Sequence, residues 1–195
     1  MKPIILASTS TRRQELLQKI GLKFQAVASD YEEDMSLKLK PKALAKKLSL
    51  GKAVAVAAKH PNHLIIAADT FIALKDRLLG KSHTAPQAIK MLKHISGKTI
   101  SVITGFTIID TASGKKISQA IETKVLIKKL SPAEINGYVK TKEPLDKAGA
   151  FGIQGLGAVI VKRIDGDFYN VMGLPLYDLS EALKKFGIDI LAGKS

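Results

Sequence analysis

The sequence predicts an α/β fold in one domain, and three observations carry the prediction. Apolar runs alternate with segments of helical periodicity through the first half. Two long β-branched-rich runs follow one another after residue 98. Gly and Pro gather in 143–157 and 166–175, inside the pattern and not between two halves of it. At 195 residues the chain suits a single domain. We expect that domain to span 1–190, leaving 191–195 as a C-terminal tail.

In order, IILA (4–7) reads as a buried strand, 12–20 as a helix ended by Gly21, and KFQAVAS (23–29) as a second strand. Thr11 with Gln14 has the spacing of a capping box, which puts Arg12 and Arg13 in the first turn of that helix. A long helix follows Pro41 and runs to about Lys59. LIIAAD (64–69) is a continuous apolar run ending in an acid, and FIALKDRLLG (71–80) reads as a hairpin with Asp76-Arg77 at its turn. Residues 85–96 form a helix closed by Gly97. TISVITGFTIID (99–110) and KISQAIETKVLIKKL (116–130), separated by TASGK, read as a hairpin of long strands. Ser131 as N-cap with Pro132 at the first helical position opens a helix to 141. AVIVKRIDGD (158–167) is a late strand and LPLYDLSEALKKFG (174–187) a final helix.

Composition narrows the function. Without cysteine, neither a disulfide nor a thiolate metal site is available. MKPIILASTS is too short in apolar run for a signal peptide, and no segment nears the ~18 apolar residues of a membrane span. The expectation is a cytoplasmic protein with no membrane partner. Lys plus Arg number 31 against 17 Asp plus Glu, a net charge of +14 that points to polyanionic partners. Aromatic content is 5% with no Trp, and no RNP-like or helix-turn-helix signature appears, so phosphorylated small molecules are expected rather than nucleic acid. Only four of the basic residues are arginines, and Arg12-Arg13 is one adjacent pair of them. Two cations at the positive end of a helix cost about a few tenths of a kcal/mol each. An anion bound there removes that cost, and arginine is the side chain for bidentate phosphate contacts.

Other residues fit such an anion. Ser8 and Ser10 lie in a hydroxyl loop after the first strand. Asp69, followed by Thr70, sits at the carboxyl end of another, where ligands of open α/β sheets gather. Lys52 continues the apolar line of Leu44 and Leu48, so it either snorkels outward or faces an anion. Lys81 follows Gly80 at the end of an apolar arm. The acidic run SDYEEDM, with Asp30, Glu32, Glu33 and Asp34, is either a solvated loop or a place for Mg2+ or Mn2+, which take carboxylate oxygens. His60-x-x-His63 lacks completing ligands, GIQGLG lacks dinucleotide spacing, and no Walker loop is present. Together these residues are the inventory for a nucleoside triphosphate plus a divalent metal.

The ordered set LASTSTRRQELL (6–17), SDYEED with Glu33, KA (52–53), AADT (67–70), LLGK (78–81), SGK…VITG (96–105), EPLDKAGAFGIQG (143–155) and IDGDFYNVMGLPLYDL (164–179) resembles the Maf, or septum-formation-protein-like, nucleoside triphosphate pyrophosphatases. The resemblance spans nearly the whole chain. It implies an elongated mixed twisted sheet flanked by helices, the Maf/ITPase-like fold, with two lobes and a central cleft, in a homodimer. It also implies metal-dependent cleavage of a nucleoside triphosphate to the monophosphate and pyrophosphate, a house-cleaning role linked to cell division arrest. Asp69 is then the proton acceptor, with Glu33 and Asp69 holding Mg2+ or Mn2+. Ser8, Ser10, Arg13, Lys52 and Lys81 surround the phosphates. Arg12, Thr70 and Gln154 match the branch acting on dTTP and UTP, and one amide at Gln154 supplies the donor and acceptor that a uracil or thymine edge requires. Departures are Thr11 in place of Pro, Ser82 in place of Pro, Ile100 in place of a frequent His, and Lys142 in place of a frequent Gly. The alternative is a non-catalytic regulator of septum formation that binds nucleotide or nucleic acid.

Overall fold

The computed structural model describes residues 2–34, 37–75, 77–145 and 147–193. Its strands are β1 (Ile4–Leu6), β2 (Gln25–Ala26), β3 (Leu64–Leu74), β4 (Arg77–Leu79), β5 (Thr99–Asp110), β6 (Lys116–Ile127) and β7 (Val161–Asp165). Its α-helices are α1 (Thr11–Lys19), α2 (Pro41–Ala57), α3 (Ala85–Ile95), α4 (Pro132–Lys140), α5 (Phe168–Met172) and α6 (Leu176–Lys184). The strands form one mixed sheet in the order β2-β1-β3-β5-β6-β7, with β4 beside β3. β1 runs parallel to β2 and β3, whereas β3–β4 and β6–β7 are antiparallel. The mixed α/β class expected from the alternation is therefore the one observed.

Several elements match their sequence signals. β5 covers the expected 99–110, and α4 opens on a complete capping box in which Ser131 accepts from Glu134 N while Glu134 accepts from Ser131 N. Gly21 and Gly97 take φ values of +73° and +69° just beyond their helices, a conformation that favours glycine.

Others differ. Ser10, not Thr11, is the N-cap of α1, and its side chain makes no capping bond; the Thr11–Gln14 box does not form. Thr11 is instead the first helical residue, a position that tolerates Pro. β2 is only two residues long. β3 does not end at Asp69 but continues to Leu74, because Phe71-Ile72 keep the strand-forming pattern and Ile72–Leu74 pair with β4. Arg77 belongs to β4 and Lys75 takes the left-handed turn conformation, while Asp76 lies outside the described residues. Residues 155–160 form a 3-10 helix ahead of a shorter β7, and α5 is an unexpected turn of helix whose first amides bond Asp167 Oδ1.

The chain divides into two compact units, one of Met1–Thr70, Thr104–Ile121 and Gly173–Ser195, the other of Phe71–Ile103 and Glu122–Met172. In the first, Ile5, Ile65 and Ala67 of the sheet pack against Ala53 and Val56 of α2. That contact is close because β5 carries Gly105: a Cβ there would lie 2.1 Å from the Ala45 carbonyl oxygen. In the second, Leu92 and Ile95 of α3 and Ile135 and Val139 of α4 pack in one cluster with Val102 and Val125. Ile100 is fully buried in this core, so the position that often carries His is here a packing position. Among the described residues no helix is long and apolar enough to cross a membrane.

Candidate active site

Lys52 lies seven residues, two helical turns, after Ala45, so it shares the sheet-facing side of α2 with Leu44 and Leu48. Of its two sequence options, the structure takes the inward one. Its Nζ lies 2.5 Å from Asp69 Oδ1 and 2.7 Å from Glu33 Oε1. Asp69, only 8% exposed, stands in mid-β3, where an isolated carboxylate is costly. Burial raises its pKa above the usual carboxylate range, against the opposing pull of Lys52 and Arg13, and Glu33 adds repulsion in the same direction as burial. The result is a carboxylate with strengthened basicity held on an ammonium.

Glu33 reaches Lys52 because the segment before it is fastened to α2. Ser29 Oγ donates to the Lys52 carbonyl at 3.4 Å and accepts from Tyr31 N at 3.3 Å. The Tyr31 ring lies over Gly51, where a Cβ would come within 2.2 Å of Tyr31 Cζ. Glycine inside a helix costs about 1 kcal/mol relative to Ala, and here it leaves room for that ring.

Arg13 is the second fixed cation. The parallel β1–β3 register (Ile4↔Leu64 to Leu6↔Ile66) carries the serine loop to the level of Asp69 and Thr70. Arg13, in the first turn of α1, donates from Nε to the Gly173 carbonyl at 3.0 Å, from Nη2 to Thr70 Oγ1 at 3.1 Å and from Nη1 to Ser8 Oγ at 3.4 Å. Thr70 Oγ1 is also 3.0 Å from Thr104 Oγ1 and 3.3 Å from the Gly173 carbonyl. Gly173 holds φ +117°, outside the range of ordinary side-chain-bearing residues. Burial lowers the Arg13 pKa, Asp69 raises it and Arg12 lowers it, but a guanidinium remains charged. Ser8 Oγ also accepts from Ser10 N at 3.2 Å, so the serine hydroxyl shapes the loop that leads into α1.

Arg12 is exposed beside this group. Lys81 and Gln154 belong to the second unit. Lys81 is exposed and forms an isolated bridge with Ala148. Gln154 is exposed at the start of the 3-10 helix, without a capping bond. The turn after Gln154 is held by Glu143, whose carboxylate accepts from Leu156 N, Gly157 N and Tyr138 OH, each at 2.9 Å.

Of the acidic run, Glu33 turns to Lys52, whereas Asp30 pairs with Lys59 at 2.5 Å. His60 and His63 stack edge-on with ring centroids 5.6 Å apart. Among the described residues no three His, Cys, Asp or Glu side chains form a metal cage. Asp69 and Glu33 nevertheless put two carboxylates on one ammonium. That set fits Mg2+ or Mn2+, which take one or two carboxylates and complete their shell with water and substrate phosphate.

Sequence reasoning misses Gly173, Thr104, Gly51 and Tyr31. Gly51 alone carries a signal, as a glycine in the middle of a helical pattern.

The profile of the family described as "Maf-like protein" matches residues 3–186. Among similar proteins, a "dTTP/UTP pyrophosphatase" of Methanosarcina barkeri (strain Fusaro / DSM 804) is 49% identical over 191 residues, 97% of each chain. The protein of the same name from Methanococcoides burtonii (strain DSM 6242 / NBRC 107633 / OCM 468 / ACE-M) is 48% identical over 97% of this chain and 98% of its own. Among solved structures, "Structure of a HAM1 protein from Coxiella burnetii" aligns over 95% of this chain and all of the other, with a TM-score of 0.51 and 12% identity. That likeness bears on the fold alone. On its sequence match from residue 3 to residue 186, this chain belongs to the Maf-like protein family.

Proposed function

We propose that this protein hydrolyses dTTP and UTP, together with modified pyrimidine nucleotides, between the α and β phosphates, releasing the monophosphate and pyrophosphate. The observation that carries the reading is the buried Asp69, bonded to Lys52 at 2.5 Å with Arg13 fixed beside it on Thr70. The names of the relatives agree with it.

In this reading the Asp69 carboxylate accepts the proton of the water that attacks the α phosphorus. Its raised basicity suits that role, because a general base works best when its pKa moves toward the working pH. Lys52 and Arg13 neutralise charge on the phosphates; three bonds to Gly173, Ser8 and Thr70 hold the Arg13 fork in place before substrate arrives. The amides of the first turn of α1, which no side chain caps, together with Ser10 and Arg12, add donors for phosphate oxygens. On the family resemblance, Lys81 takes a further phosphate contact and Gln154 the pyrimidine edge. Asp69 and Glu33 would hold Mg2+ or Mn2+, which when bound would supply charge neutralisation on the phosphates and a more acidic water. A cytoplasmic homodimer with a house-cleaning role, linked to cell division arrest, completes the reading.

The deciding assay measures pyrophosphate release from a panel of canonical and modified nucleoside triphosphates, with and without Mg2+ or Mn2+. Release confined to pyrimidine nucleotides and dependent on the metal is the expected result. Nucleotide binding without release under every condition would favour the non-catalytic regulator.

Gly51→Ala tests the seating of Glu33. The new methyl cannot coexist with the Tyr31 ring, so the acidic segment must move while the helix itself gains propensity. The expected outcome is a fall in kcat/KM of about 10-fold or more, with Tm little changed. Wild-type kinetics in this variant would remove the Tyr31 contact from the positioning of Glu33.

A further inference from the structure

No Asp or Glu stands between Asp76 and Asp110 in the sequence, although Arg77, Lys81, Lys90, Lys93 and Lys98 all fall there. In the second unit this segment folds around an open groove of about 710 Å³ along α3. Leu79 and Met91 supply apolar surface, and Lys81, Lys90, Lys93 and Lys98 line it with ammonium groups, while no carboxylate belongs to its described lining. Ser82, only 1% exposed, also lines it and brings a hydroxyl to the wall.

We propose that Lys90, Lys93 and Lys98 of this groove bind a linked chain of phosphates, a site that shares none of these three residues with the Asp69, Lys52 and Arg13 cluster; Lys81, given above to the substrate phosphates, is not counted in the set. Three like charges in one concavity repel one another, and an anion with charge distributed along its length relieves that repulsion at several points at once. Lysine ammoniums act as mobile point charges and follow phosphate oxygens without a fixed fork geometry. The volume is that of a small-molecule pocket. The described lining offers two imidazoles, His83 and His94, but no Phe, Tyr or Trp as a broad stacking platform for successive bases, which favours a short polyphosphate anion over single-stranded nucleic acid. Ser82 adds an O–H donor to the wall.

The test uses the full-length protein, with inorganic tripolyphosphate and an α,β-methylene nucleoside triphosphate as probes in calorimetric titrations. The combined variant Lys90→Ala, Lys93→Ala, Lys98→Ala is expected to lose one equivalent of tripolyphosphate, or to bind it at least tenfold more weakly. Lys52→Ala should retain that equivalent. Loss of both probes in the triple variant identifies the phosphate chain as sufficient; loss of the nucleotide probe alone would overturn the proposal, because the phosphate chain by itself would not be the ligand. Circular dichroism checks that the triple variant is folded, and its pyrophosphate release from dTTP should stay within twofold of wild type. The hydrolysis assay and the titration thus fail independently. Unchanged stoichiometry and affinity in the triple variant would overturn the proposal. So would tighter binding of a thymidine oligonucleotide than of tripolyphosphate through the same lysines, which would make the groove a nucleic-acid surface.

Discussion

Asp69→Asn is expected to bind dTTP with affinity close to wild type and to release pyrophosphate about 10²–10⁴-fold more slowly. Asn keeps the shape of the side chain and removes its basicity, so binding and turnover should separate. The stability of the same variant carries independent information. Burial raises the folded-state pKa of Asp69, so the stability linked to this group is fully present below the unfolded carboxylate pKa and is lost as pH rises through the folded value. Asn stays neutral throughout and avoids that loss, while Lys52 retains Glu33 at 2.7 Å. Without added divalent cation at neutral pH, the variant should therefore melt no lower than wild type. In the wild-type enzyme the acid limb of the pH–rate profile should lie above the usual carboxylate value of about 3.9, since the base must be ionised to act. Undiminished turnover in the Asp69→Asn variant would take Asp69 out of the base role. A Tm several degrees lower would show instead that its pairing with Lys52 outweighs the cost of burial.

Gly105→Ala is expected to be the most damaging single-methyl change in the first unit. The added carbon would fall 2.1 Å from the Ala45 oxygen, 2.2 Å from its carbonyl carbon and 2.7 Å from Lys46 N. These are backbone atoms of a helix, which no rotamer change can move aside. α2 must lift from β5, at a cost of about 1–3 kcal/mol or more. At this chain length each kcal/mol lowers Tm by about 2–4 °C. The same displacement draws Lys52 away from Asp69, so activity should fall together with stability. Gly137→Ala provides the control: within α4 a Cβ meets nothing within 4 Å, and the better helix former should hold or raise Tm. Equal melting of Gly105→Ala and wild type would show that helix and strand are less tightly seated than their separation implies.

The elements legible in the sequence are those whose signals are local. β5 follows from twelve residues dense in β-branched side chains, and α4 from Ser131, Pro132 and Glu134 at capping spacing. The start of α1 is ambiguous because four consecutive hydroxyl residues compete for one cap, and Ser8 is drawn into a bond with the Ser10 amide. The full length of β3 is hidden by Asp69, since an acid reads as the end of an apolar strand. Its place inside the strand depends on Lys52, seventeen residues earlier on another element. Lys52 has two directions open to it until Glu33 and Asp69 stand on the same side. The Gly173 carbonyl cannot be foreseen at all, because a main-chain acceptor leaves no side-chain signature. Lys142 is a parallel case. Its φ of +63° is a conformation that favours glycine, and nothing in the side chain of lysine signals it.

The bond from Arg13 to Gly173 spans 160 positions of chain. Ser8 and Thr70 hold the two terminal nitrogens of this guanidinium from nearer in the chain, and only Nε depends on the distant carbonyl. The orientation of the fork about Nε is therefore set by the turn ahead of α6, a segment remote in sequence from the helix that carries the arginine.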